Sequence, residues 1–170
     1  FAADEAEPNI PYFIMVGYSP HKYEDLDFNS DFGNWEVGLS SDDATTGQWE
    51  INIPLGSFAD VNDPSTMVAP DHQHTPNGEL AFITGKANLV SDALGTNDVD
   101  GGTTTLQTAV IDLTGYTNPT FTYWRWYINN PQSGANPFAD WWQVAISDDG
   151  GNTWFRVEDT KRSDRSWRRF

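Results

Sequence analysis

The chain has 170 residues, a length that suits one domain. It is 38% hydrophobic and carries eight Trp, six Tyr and ten Phe, enough aromatic surface to argue against a disordered chain. The formal charge is −16; the last ten residues hold five of the nine bases, so the other 160 carry 24 acids against four bases, a balance that repels phosphate and argues against DNA or RNA as partners.

The absence of cysteine excludes a disulfide framework, a thiolate metal site and a cysteine nucleophile. No apolar run approaches the ~20 residues that span a bilayer, so membrane insertion is not expected. The sequence opens on Phe1, without an initiator Met or a cleavable apolar h-region in its text. It reads as the mature form of an exported protein, secreted or held at the cell surface, or as a piece of a longer polypeptide.

Residues 1–22 read as an extended N-terminal arm, a linker or the end of a preceding domain, and residues 23–170 as the folded unit. Within the arm, residues 10–16 form an apolar run between Pro and Gly, either a strand or the tail of what precedes it. From Asp27 onward short apolar runs alternate with Gly, Asn, Asp, Pro, Ser and Thr clusters. The clearest strands are predicted over residues 104–113, 120–128, 141–147 and 154–158, with another beginning at Ser166. Period-2 alternation puts Phe121, Tyr123, Arg125 and Tyr127 on one face of the second, and Thr122, Trp124, Trp126 and Ile128 on the other. It also groups Trp142, Val144 and Ile146. No segment has helical periodicity with caps, and no repeat of fixed period is present. The pattern predicts an all-β fold, a two-sheet antiparallel β-sandwich of jelly-roll type.

The sharpest local motif is Ser147-Asp148-Asp149-Gly150-Gly151-Asn152-Thr153-Trp154, which fits the S-x-D-x-G-x-T-W pattern of an Asp-box. Its physics is that of a hairpin. The Asp149 carboxylate accepts backbone N–H groups within the turn, Gly151 supplies positive φ, and Trp154 packs under the loop. A single copy reads as a structural device.

A second cluster, Asn97-Asp98-Val99-Asp100-Gly101-Gly102, offers oxygen donors suited to Ca²⁺, although Asp-Gly is also a plain turn signal. Asp27, Asp42, Asp43, Asp71 and Asp140 fall at the ends of predicted strands, where a cation would offset their repulsion. His72 and His74, spaced i, i+2, are half of a zinc site at most, and packing histidines are the simpler reading. Trp124, Trp126, Trp141 and Trp142 suggest a glycan platform. Alternation nevertheless sends one of Trp141 and Trp142 into the core, so core packing takes most of the four. No nucleophile elbow, P-loop or dinucleotide fingerprint is present.

Several segments in order resemble the MAM-type jelly roll: Asp27-Phe28-Asn29, Asn34-Trp35-Glu36-Val37-Gly38, residues 42–50, Asp71-His72-Gln73-His74-Thr75-Pro76-Asn77-Gly78, residues 98–106 and Trp124-Arg125-Trp126-Tyr127. The likeness is to the bacterial branch, whose members sit beside metallopeptidase domains of the immune-inhibitor-A and zinc-carboxypeptidase kinds. It runs from about residue 23 to residue 170. It implies structural Ca²⁺ where Asp27 and Asn29 meet Asp71 and Asp140, with Asp98 and Asp100 as further candidate ligands. Two departures stand out. Asn29 occupies a position usually filled by Glu, and the family continues for one or two strands beyond the equivalent of Phe170.

The expected function is therefore a non-catalytic, calcium-stabilised accessory or adhesion module of a larger secreted bacterial protein. Its partners are neighbouring domains of that protein or identical subunits. Two alternatives use other features: a carbohydrate-binding module with an exposed Trp, and a filament subunit assembled by strand exchange through the arm. A glycosidase built on two of the acids is a further alternative.

Overall fold

The structure is a computed structural model that describes the backbone of residues 14–16 and 22–24, and residues 35–129 and 138–170 in full. Thirteen strands follow one another in the described chain: β1 (Ile14–Val16), β2 (Lys22–Glu24), β3 (Trp35–Val37), β4 (Glu50–Asn52), β5 (Ser57–Phe58), β6 (Met67–Ala69), β7 (Ala81–Ile83), β8 (Leu106–Thr108), β9 (Thr120–Phe121), β10 (Trp124–Tyr127), β11 (Trp142–Ile146), β12 (Phe155–Thr160) and β13 (Asp164–Arg169). A 3-10 turn at Pro64–Thr66 is the one helical element among the described residues; Asp63 caps it through its side chain, which accepts the Ser65 N–H.

Every ladder is antiparallel. One sheet has three strands, in the order β2-β1-β9, and the others are pairs: β3-β8, β4-β7, β5-β6, β10-β13 and β11-β12. The protein is thus all-β with antiparallel pairing, as its alternating text predicts, and is consistent with a β-sandwich. The last three residues of the apolar run in the arm form strand β1, whose Ile14 lies opposite both Glu24 and Phe121.

Two predicted strands differ from what forms. Residues 104–113 yield only Leu106–Thr108. Thr105 donates its backbone N–H and its hydroxyl to the Asp42 carboxylate (2.6 and 2.7 Å), and Asp112 accepts the Thr114 N–H in a tight turn (2.9 Å). Side-chain bonds of this kind compete with ladder bonds at both ends. The 120–128 run divides between two sheets, β9 pairing β1 and β10 pairing β13.

Strand β10 has partners on both faces. Trp124 stacks on His74 (3.7 Å between centroids, 17° between planes), and the Trp126 N–H donates to the Val68 carbonyl (2.7 Å). On the other face Arg125, 6% exposed, pairs with Glu158 of β12. The alternation read from the sequence holds here. In the β11-β12 pair a bulge in β12 inserts Val157 where β11 passes from Val144 to Ala145, so that Val144 opposes Glu158 and Ala145 opposes Arg156. A bulge rotates the strand beyond it. Ile146, grouped by alternation with Trp142 and Val144, ends opposite Phe155 with 47% of its surface exposed.

The interior is unusually polar. Among the described residues Val68 (4% exposed) and Pro54 are the buried apolar side chains, whereas Gln73, Arg125 and Asn129 are buried polar ones. A buried polar group costs stability unless its hydrogen bonds are made. At Glu158 the carboxylate accepts from the Tyr123 hydroxyl, from Arg125 Nη1 and from Trp142 Nε1. The Arg125 guanidinium also lies 4.1 Å from the Phe170 ring centroid and 5.3 Å from that of Trp142. This charge is thus surrounded by rings and one carboxylate, a cation–π and ion-pair cluster joining β10, β12 and β11.

Candidate functional site

The 97–102 loop is fixed by what crosses it. Thr45 donates its backbone N–H (2.8 Å) and its hydroxyl (3.1 Å) to the Asp100 carbonyl, and the Thr46 hydroxyl donates to that of Asp98 (2.9 Å). Asn97 reaches the Lys86 carbonyl at 3.1 Å. Gly47 is required by this approach: its φ is +66°, and a Cβ there would lie 2.6 Å from the Asp98 backbone. Asp42 and Asp43 do not join the loop as free carboxylates. Both hold the strand that follows it, Asp43 by accepting the Thr103 N–H (2.8 Å). Burial pushes the Asp42 carboxyl up, but the bonds from Thr105 and Leu39 outweigh it and leave its pKa lowered.

Asp140 reaches the same corner from a distant part of the sequence. Asn129, at the end of β10 and 2% exposed, accepts the Asp140 N–H on its side-chain oxygen (3.1 Å). Its amide nitrogen donates to the carbonyls of Asp140 (2.6 Å) and Lys161 (3.1 Å). The Asn129 backbone N–H donates to the Ser163 hydroxyl (2.8 Å). This residue escapes a reading of the sequence, because Asn129-Asn130-Pro131 looks like any turn.

Asp98, Asp100 and Asp140 are thereby within electrostatic reach of one another. The Asp98 carboxyl is pushed up by burial and then by the charges of Asp100 and Asp140; that of Asp140 is pushed up by burial and then by Asp100, with Lys161 opposing. The Tyr127 hydroxyl, buried without a hydrogen-bond partner among the described residues, is pushed up to about 12, by burial first and by Asp140 second. The donor set is hard oxygen, which fits Ca²⁺ in chemistry. Among the described residues no three His, Cys, Asp or Glu side chains converge tightly enough to ligate one ion. Water and backbone oxygen would have to complete a shell.

The remaining candidate ligands divide. Asp71 is engaged elsewhere, its carboxylate 2.5 Å from His72 Nδ1, and it is not among the charges that perturb Asp98 or Asp140. Asp27 and Asn29 lie outside the described residues. His72 and His74 do not face one ion: His74 is stacked on Trp124, and its pKa is lowered by burial and then by His72.

The Asp-box hairpin is the opposite case. Asp149 Oδ1 accepts the Ser147 hydroxyl and the Thr153 N–H (both 2.8 Å), and Oδ2 accepts the Thr153 hydroxyl (2.6 Å). The Ser147 hydroxyl oxygen takes the Gly151 N–H at 2.8 Å, with Gly151 at φ +91°. These bonds, the Thr153 hydroxyl first, hold the Asp149 carboxyl down to about 2. Trp154 donates its indole N–H to the Gly151 carbonyl (3.0 Å), with its ring against the loop glycine, and stays 48% exposed.

No family model, curated protein or solved structure matches this chain. Its residues therefore carry the argument.

Of the four Trp residues that suggest a platform, three face inward. Trp124 lies on His74, Trp126 is bonded to Val68, and Trp142 is bonded to Glu158 and set edge-on to Trp49. Trp141 alone of the four is exposed, at 56%, with the Lys161 ammonium 4.4 Å from its ring centroid. Among the described residues no helix is long and apolar enough to cross a membrane.

Proposed function

We propose that the chain is a non-catalytic accessory or adhesion module of a larger secreted bacterial protein, a jelly-roll β-sandwich of MAM-like type whose loops are stabilised by Ca²⁺. The observation that carries the reading is that Asp98, Asp100 and Asp140, from loops about 40 positions apart in the sequence, lie within electrostatic reach of one another, with the carboxyls of Asp98 and Asp140 pushed up by burial first and by the neighbouring charges second. A fold that brings like charges together at a cost needs something that binds them. The ion would sit in the field of Asp98, Asp100 and Asp140, held by at most two of these carboxylates together with water and backbone oxygens, and would neutralise the corner. The polar interior supports a scaffold role: its buried charge, Arg125, is occupied by Glu158 and by rings. The partners on this reading are neighbouring domains of the parent polypeptide or identical subunits.

The test is thermal unfolding with EDTA and with excess Ca²⁺. Ligand linkage gives about 2.7 kcal/mol of stabilisation at 100 times Kd. A melting curve unchanged by chelator and by added Ca²⁺ would remove the cation from the proposal.

A further inference from the structure

The acids and bases of this chain are segregated. Residues 161–170 carry five bases and one acid, and the other 160 carry four bases and 24 acids. Four of those five bases, Arg162, Arg165, Arg168 and Arg169, are exposed on β13 and on the turn leading into it. Arg168 holds Asp164 of its own strand, as Arg125 holds Glu158 and Arg156 holds Asp159. The guanidinium groups of Arg162, Arg165 and Arg169 hold no carboxylate among the described residues. A chain with a net charge of −16 has acids to spare, so the fold keeps these three away from them. The strand that carries Arg165 and Arg169 pairs with β10 on one edge, and no described strand pairs with the other.

A surface of the opposite sign lies between two loops. An open cleft of about 320 Å³ is lined by Phe58, Val61 and Leu94, with Asp92 in its wall and Asp60 between two lining residues. Residues 56–66 and 87–97 contain no base. The turn at 89–92 is closed on itself: the Asp92 N–H donates to the Leu89 carbonyl (3.0 Å), and the Asp92 carboxylate accepts the Leu89 N–H (2.9 Å). Leu89 therefore stands beside a lining residue. It is 63% exposed, and Val61 is 52% exposed. Aliphatic groups among carboxylates match a segment that is both cationic and able to cover them, and this chain concentrates its positive charge at residues 161–170. A polyanion would satisfy the arginine edge alone, and a cationic peptide the cleft alone. A second copy of this chain satisfies both.

We propose that β13 of one copy docks on the 58–63 and 88–94 loops of a second copy, with Arg165 and Arg169 meeting Asp60 and Asp92 and with Val61 and Leu89 covered. Burial of the aliphatic side chains supplies affinity, and the charges set the orientation. This contact rests on the accessory-module reading, for which it supplies the identical-subunit partner, and makes no use of Ca²⁺. The test is sedimentation of the whole chain, in excess Ca²⁺ and separately in EDTA, at ionic strengths of about 0.01, 0.15 and 1 M, where charges are felt over about 30, 8 and 3 Å. At the lowest salt the two −16 bodies repel across their width, and at the highest the contact charges are screened. Association is therefore strongest at the middle value. The double variant Arg165→Glu with Arg169→Glu, and separately Val61→Arg, each lowers the association constant by about tenfold or more at an unchanged melting temperature. Mixing the two variants re-forms a one-to-one complex, because each keeps the surface the other lacks, a result that damage to the fold does not produce. A wild type that is monomeric in both buffers at every ionic strength overturns the proposal. So does association that both variants leave unaltered, or a mixture that stays monomeric while each variant melts as wild type does. Association of a wild type whose melting ignores EDTA upholds the contact while removing the cation.

Discussion

The Asp-box hairpin and the acidic corner use the same side chain to opposite effect. Asp149 sits on the surface inside a ring of donors, from Ser147 and Thr153, and its proton affinity falls to about 2. Asp98 and Asp140 are partly shielded from water and face other carboxylates, and their proton affinity rises. An Asp surrounded by N–H and O–H groups stabilises its loop by itself, whereas an Asp facing like charge stabilises nothing until a cation or a proton arrives. The difference lies in what the surrounding chain supplies. Eight consecutive residues complete the hairpin, while the corner needs loops brought together from distant positions.

The comparison breaks hardest at the residue that assembles the corner. Asn129→Ala strands the Asp140 N–H and the carbonyls of Asp140 and Lys161 without their partner, and is expected to cost about 2–4 kcal/mol in urea unfolding. A loss below about 1 kcal/mol would mean that the loop is not held by this amide. In the hairpin the corresponding break is Gly151→Val, which forces a β-branched residue to φ +91° and is expected to cost about 1–3 kcal/mol. Because that turn is local, the loss should be the same with and without Ca²⁺, measured by the same denaturation.

The smallest effect sharpens the contrast by its sign. The lowered pKa of Asp149 contributes stability that is present above the ordinary value of 3.8 and is lost as pH falls toward 2. The raised pKa values of Asp98 and Asp140 act the other way. Their contribution is complete below 3.8 and is lost as pH rises through the folded-state values, so at neutral pH without a cation both groups subtract from stability. The double substitution Asp98→Asn with Asp140→Asn should therefore raise the melting temperature at pH 7 in EDTA and lower it in excess Ca²⁺. Asp149→Ala should lower it in both. A double variant that melts below wild type in EDTA would contradict the repulsion assigned to the corner.

The all-β class was legible in the sequence because strand alternation and turn residues are short-range signals. The two faces of β10 were legible for the same reason: Arg125 and Tyr127 point one way and Trp124 and Trp126 the other, as period 2 requires. The Asp-box was readable to the level of its turn geometry, since its carboxylate, donors and glycines lie within eight residues. The exposure of Ile146 was not, because it lies just beyond the bulge at Val157 of the partner strand, and bulges leave no mark in composition. The role of Asn129 was equally hidden, since its bonds run to residues 9 to 34 positions away.

The sequence by itself determined the acidic body, the cysteine-free all-β class and the hairpin at residues 147–154, each set by neighbours along the chain. Only the tertiary structure decided which aspartates share a corner, which Trp remains exposed and that Arg125 is enclosed with Glu158. Those depend on distances between segments far apart in sequence, and local propensity carries no information about them.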